Sequence, residues 1–168
     1  KGAGGALWFS SKKGVGTRFV IWLPVASLDR EAAGTPTPSW PTRAIVVDDQ
    51  PEITHILSRF LECLGIKSHC FESGEEVADF LNETGSPYCP LAIVDIRLGA
   101  AMDGIELGHR LLHHHGCTGV LLISGDEPGP RVAQFEGLPV AFCRKPMTFQ
   151  NLQDALESLD FVPPAPVP

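Results

Sequence analysis

The chain has 168 residues, enough for one ordinary domain with additional segments and too few for two full domains. Its formal charge of −7 and pI of about 5.3 argue against nonspecific binding of nucleic acid by charge. With 43% hydrophobic and 20% charged residues the balance is that of a soluble globular protein, and the longest apolar runs fall far short of the ~20 residues of a membrane span.

The sequence begins at Lys1 with no initiator Met and no apolar signal segment, and so reads as a piece of a longer protein. Five cysteines, Cys63, Cys70, Cys89, Cys117 and Cys143, include no C-x-x-C pair. An odd set without paired spacing points to small buried hydrophobes in a reducing compartment, not to a disulfide framework or a zinc site.

Residues 1–25 contain two apolar runs, ALWF and TRFVIWL, around a turn rich in Lys and Gly, which predicts a β-hairpin. Residues 26–42 hold three prolines among small polar residues and read as a linker. From Arg43 onward, short apolar strands alternate with helical patterns. AIVV (44–47) is a buried strand. Ile53, Ile56, Leu57, Phe60, Leu61 and Leu64 then form one helical face, which Gly65 is placed to end in a left-handed cap.

The second strand is 66–71, and Ser73 with Glu76 has capping-box spacing for a helix through Leu81. LAIVD (91–95) is the third strand, 105–115 the third helix and GVLLIS (119–124) the fourth strand. LPVAF (138–142) is the fifth strand, and Leu152, Ala155, Leu156 and Leu159 line a last helix. The Pro-rich tail, 161–168, cannot continue that helix. Five βα units predict an open, doubly wound α/β fold of the flavodoxin-like kind, a five-stranded parallel sheet in the order 2-1-3-4-5, carrying an N-terminal hairpin remnant.

In such a fold the ligand site lies beyond the carboxyl ends of the strands. Asp48 and Asp49 follow the first strand, Asp95 closes the third, Ser124 closes the fourth and Lys145 follows the fifth, so all five fall on one edge. Three carboxylates in one crevice raise each other's pKa unless a cation is present. All-oxygen donors with open positions suit Mg²⁺. With Lys145 and the metal spreading the charge of a transferring phosphoryl group, Asp95 is left as nucleophile.

The motifs VVDDQPEI, VDIRL, LISGD and CRKP, in this order and separation, resemble those of two-component response-regulator receivers across residues 43–160. The resemblance implies that Asp95 is the phosphoacceptor, Asp49 a direct Mg²⁺ ligand, Asp48 a helper acting through water and the Arg97 backbone carbonyl a further ligand. It implies that Lys145 contacts the phosphoryl group and precedes a cis Pro146. Ser124 corresponds to the switch hydroxyl and Phe142 to its aromatic rotamer partner. The donor is a phosphohistidine, on the chain's own kinase or a phosphotransfer domain. Two departures stand out. LGAA (98–101) replaces a shorter loop, with Arg97 free to shield the phosphoryl group or pair with a nearby acid. The fourth helix must also fit within DEPGPRVAQFEG, where Pro128, Gly129 and Pro130 discourage it.

GGALWFSSKKGVGTRFVIWLP resembles the end of a histidine-kinase ATP-binding domain through Ser11, Gly14, Gly16, Thr17, Phe19, Leu23 and Pro24. Kinase tail, linker and receiver in that order imply a cytoplasmic part of a hybrid histidine kinase. The parent would be ATP-dependent, while this segment would catalyse only its own phosphotransfer and dephosphorylation. Trp8, Phe9, Phe19 and Trp22 of the orphan hairpin would pair with another copy or lie against the receiver.

Blander readings weigh against each residue singly. An acidic pair after a strand suits a helix N-terminus, Ser124 alone is a turn residue and Lys145 a solvated charge. His113, His114 and His115 suit a helix C-terminus, and Met102 and Met147 packing. A pseudo-receiver binding module without phosphorylation and a phosphatase-like hydrolase are the competing functions. The adjacent Asp48-Asp49 pair, in place of D-x-D, disfavours the hydrolase.

Overall fold

The structure, a computed structural model, describes residues 6–12, 14, 16–22, 40–84, 90–99, 102–127, 129–159 and 161, with backbone alone for 6–12 and 16–22. The expectations for Leu23 and Pro24, most of the 26–42 linker, Cys89, the end of the LGAA loop, Pro128, the tail after Phe161 and the aromatic side chains of the hairpin lie outside the described residues. The chain divides into two compact units, Lys1–Thr37 and Pro38–Pro168.

In the first unit, β1 (Ala6–Lys12) and β2 (Gly16–Trp22) pair antiparallel, with Phe9 opposite Phe19. The turn between them carries Gly14 at φ 79°, a left-handed conformation that glycine adopts without steric cost.

The second unit alternates strand and helix: β3 (Arg43–Val47), α1 (Pro51–Cys63), β4 (Lys67–Phe71), α2 (Gly74–Thr84), β5 (Leu91–Asp95), α3 (Gly104–His114) and β6 (Gly119–Ser124). A short 3-10 helix (Pro130–Phe135), β7 (Val140–Arg144) and α4 (Phe149–Glu157) complete it. The strands form one parallel sheet in the order β4-β3-β5-β6-β7, the predicted 2-1-3-4-5.

Because side chains alternate across a strand, each central strand feeds two cores. Ile45, Val47, Val94 and Leu122 pack with Val77, Leu81, Ile105 and Leu111 under α2 and α3. Ala44, Val46, Ile93 and Leu121 pack with Leu57, Leu61, Leu152 and Leu156 under α1 and α4. Trp40, before the first strand, packs against this second core. Met102 and Met147 fill the edges of the first and second core respectively. Among the described residues no helix is long and apolar enough to cross a membrane.

Helix ends follow local chemistry. Gly65 takes φ 79°, its N–H bonds Glu62 O at 3.0 Å and Ile66 N–H bonds Leu61 O at 2.9 Å, closing α1 in a Schellman turn. Ser73 accepts from Glu76 N at 3.2 Å as its spacing predicts, but the Glu76 carboxylate reaches back to the amide of Glu72. The helix it starts runs three residues past Leu81, to Thr84.

Three expectations are corrected. The last strand begins at Val140, not Leu138: Pro139 has no N–H to give a ladder, and Val140 N–H turns back to Leu138 O at 2.7 Å. In the fourth connection the described residues form a 3-10 helix, Pro130–Phe135, and no α-helix. Among the described cysteines Cys63 and Cys70 are exposed, Cys143 is half-buried and Cys117 is buried, the edge position of β4 and the end of α1 leaving the first two thiols at the surface.

Gly104 fixes how α3 meets the sheet. Its N–H bonds Ile96 O at 3.2 Å, and a Cβ on it would overlap the backbone carbonyl of Asp95. We expect Gly104→Ala to destabilise the domain by about 1–3 kcal/mol through overpacking, read from the midpoint of urea unfolding. An unchanged midpoint would show that α3 is free to shift.

Candidate functional site

The carboxyl ends of β3, β5, β6 and β7 bring together residues far apart in sequence. Asp48 directly follows β3 and is fully buried, while Asp49 beside it is exposed. Asp95 ends β5 and Ser124 ends β6, both buried. Ligand oxygens of Asp48, Asp49 and Asp95 all lie within 4.8 Å of one another. Lys145 follows β7, anchored by its N–H to Ser124 O at 2.7 Å, and the bond from Lys145 to Pro146 is cis.

The Lys145 ammonium lies 2.7 Å from Asp95 Oδ2 and 2.6 Å from Asp48 Oδ2. Backbone amides hold the other carboxylate oxygens: Gln50 N–H donates to Asp48 Oδ1 at 3.1 Å and Arg97 N–H to Asp95 Oδ1 at 3.2 Å. Burial pushes the Asp48 carboxyl above its ordinary range and the Asp95 charge adds to this, while the Lys145 and Gln50 bonds offset part of it. Burial alone would pull the Lys145 ammonium down. Its bonds to Asp48 and Asp95 outweigh that and hold it above the ordinary lysine value.

Two further ion pairs border the crevice. Arg97, two residues past Asp95, pairs with Asp126 of the loop after β6, and Ser124 Oγ accepts the Asp126 N–H at 3.2 Å. Arg131 of the 3-10 helix binds both oxygens of Asp103, at 2.5 and 3.3 Å. Asp103 is also the N-cap of α3, accepting Glu106 N–H at 2.9 Å. The D-x-x-E spacing of Asp103 and Glu106 is a capping signal that reading for chemistry alone passes over; its bond to Arg131 has no local signature. Phe142, in β7, is 40% exposed, its ring 6.5 Å from that of Phe135. Beside it a cavity of about 190 Å³ opens among Ile96, Leu122, Ser124, Asp126 and Arg144.

The family model for the response regulator receiver domain matches residues 44–157, which hold the whole sheet except its first residue. The chain belongs to that family. The heme response regulator HssR of Staphylococcus epidermidis is 30% identical over 108 residues, 64% of this chain and 46% of that protein. The response regulator protein TmoT of Ectopseudomonas mendocina is 26% identical over 114 residues, 67% of this chain and 50% of that protein. The chain thus spans about half the length of the curated relatives it matches. The receiver protein of Burkholderia phymatum shares the fold with a TM-score of 0.59 at 23% identity, covering 74% of this chain and all of that one. The Methylobacillus flagellatus receiver domain does so with a TM-score of 0.58 at 18% identity, over 71% and 98% of the two chains. Receiver domains accept a phosphoryl group from histidine kinases or phosphotransfer partners and bind Mg²⁺ at their acidic pocket.

The predicted set therefore falls in two groups in this receiver. Asp48, Asp49, Asp95 and Lys145 converge, with Ser124 on the adjoining strand end. Phe142 lines the cavity that Ser124 also lines, and the Arg97 side chain turns to Asp126.

Asp103→Ala should lower stability by about 1 kcal/mol, the usual worth of an N-cap; solvent screens the exposed pair with Arg131. The Arg131 bond holds the Asp103 carboxyl below its ordinary 3.8. Its contribution is thus complete above that pH and lost as pH falls through the lower folded value. Thermal melts of wild type and variant should differ at neutral pH and converge in acid; a constant gap would deny the carboxylate its role.

Proposed function

We propose that Asp95 is the phosphoacceptor of this receiver and that Lys145 is the residue that compensates its charge. The observation that carries this is the Lys145 ammonium seated between Asp48 and Asp95, at 2.6 and 2.7 Å, on the carboxyl edge of the sheet. A carboxylate oxygen of Asp95 attacks the phosphorus of a phosphohistidine. The new P–O bond forms as the P–N bond breaks, and the imidazole leaves with the electron pair and takes a proton. Lys145 shifts from balancing two carboxylates to balancing the phosphoryl oxygens, and Ser124 lends its hydroxyl as a donor to them.

The donor set fits Mg²⁺: three carboxylates meet with ligand oxygens within 4.8 Å of one another, and one ammonium, Lys145, faces the two buried ones. Asp49, Asp95 and the Arg97 carbonyl would hold the ion, with Asp48 acting through water. When bound, the ion neutralises the clustered carboxylates and the incoming phosphate. Phe142 is the aromatic partner of the Ser124 switch in this reading.

We assign residues 1–25 to the last hairpin of a kinase ATP-binding domain, 26–42 to a linker, 43–160 to the receiver and 161–168 to a Pro-rich tail. The kinase-like motif around Ser11, Gly14, Gly16 and Thr17 supports this, and with it a cytoplasmic hybrid histidine kinase as the parent. A hairpin of two strands is marginal by itself, which favours self-association of this segment when it is cut from its sheet.

With acetyl phosphate and Mg²⁺, intact-mass spectrometry should detect one acyl phosphate on wild type and none on Asp95→Asn, with unchanged circular dichroism. Chelation of Mg²⁺ should abolish labelling of wild type as well. Stoichiometric labelling of Asp95→Asn would move the acceptor elsewhere.

A further inference from the structure

A second set of metal-binding donors lies on α3, apart from the aspartates. His109 and His113 stand one helical turn apart, their ring centroids separated by 4.2 Å at an interplanar angle of 42°. His109 is half-buried and its ring lies 6.4 Å from that of Phe135, which limits its rotamers; His113 is exposed. Glu106, one turn before His109, is held by Arg110 at 2.6 Å. The aspartate triad is the one group of three such ligands drawn together among the described residues. The α3 pair therefore offers two imidazoles and open positions.

We propose that His109 and His113 chelate a divalent d-block cation such as zinc, with water completing its shell. Imidazoles four residues apart on a helix present their nitrogens on one face, the spacing by which helical histidine pairs hold zinc. Imidazole is a donor for zinc, copper and nickel, whereas carboxylate oxygens suit magnesium. The two sites thus sort ions by donor chemistry. The two rings already lie side by side, 4.2 Å apart between centroids, so both donors stand at one patch of the helix surface.

The test titrates zinc chloride into the full chain, free of any added histidine tag and with magnesium chloride in excess, while NMR follows the imidazole nitrogens. One zinc ion should shift the ring signals of His109 and His113 together. His113→Gln, at an exposed position, should weaken zinc binding about a hundredfold, because the first imidazole presents the ion to the second at high effective concentration. His109→Gln should do the same with an unchanged circular dichroism spectrum, and His114→Gln should bind as wild type. Wild-type affinity in His113→Gln would overturn the proposal. So would an equal loss in His114→Gln, or zinc shifts confined to signals around Asp95. Phosphoryl labelling of Asp95 plays no part in these readouts, so this site and the phosphoacceptor stand or fall separately.

Discussion

The arrangement of this receiver turns on a conflict of like charges. Three carboxylates share one edge of the sheet, two of them buried, and the ammonium of Lys145 is the cation drawn between those two. Burial raises the cost of each charge, and here it pushes the Asp48 carboxyl upward. A fold optimised for stability alone would not gather such groups. The crevice keeps its carboxylates short of full compensation, and in the function proposed above that shortfall would draw a divalent cation, which with Lys145 would then balance a phosphate.

Everything behind the crevice serves to hold those groups still. The aspartates and the lysine sit at the ends of β3, β5 and β7, whose central members are buried on both faces. The polar chemistry is confined to the last residue of a strand or the first two beyond it, where backbone amides stay available. Gln50 and Arg97 N–H supply bonds to Asp48 and Asp95 for that reason. Gly104 extends the same control outward, since only the absence of a Cβ lets α3 lie against the Asp95 carbonyl.

How far the sequence discloses this follows from which forces act locally. The buried strands β3, β5 and β6 stand out as unbroken apolar runs because both of their faces are covered, and their order follows from the alternation with helices. The edge strand β7 is harder to place, since Leu138 and Pro139 look like strand by hydropathy, but the Leu138 N–H turns to Phe135 O and Pro139 has none to give the ladder. The convergence of Asp48, Asp49, Asp95 and Lys145 is legible because a parallel sheet sends every strand end to one edge. That Arg97 pairs with a nearby acid is among the expectations, but that the acid is Asp126, and that Asp103 binds Arg131, is not legible. Both pairings depend on how two loops cross, and no periodicity encodes that.

Those two bonds also explain what becomes of the segment where a fourth helix would lie. An α-helix there would pin the loop after β6 to the sheet by a row of buried side chains. The 3-10 helix contributes one buried residue, Phe135, with Val132 packed partly against the same core, and its tie from Arg131 to Asp103 is an exposed ion pair worth little in water. Local opening costs least where few apolar contacts must be broken. By that argument the 3-10 helix, Pro130–Phe135, is expected to open more readily than β6 and β7 on either side of it. The Arg97–Asp126 pair thus ties the loop after β6 to the backbone two residues beyond Asp95, while the Asp95 carboxylate itself faces Lys145.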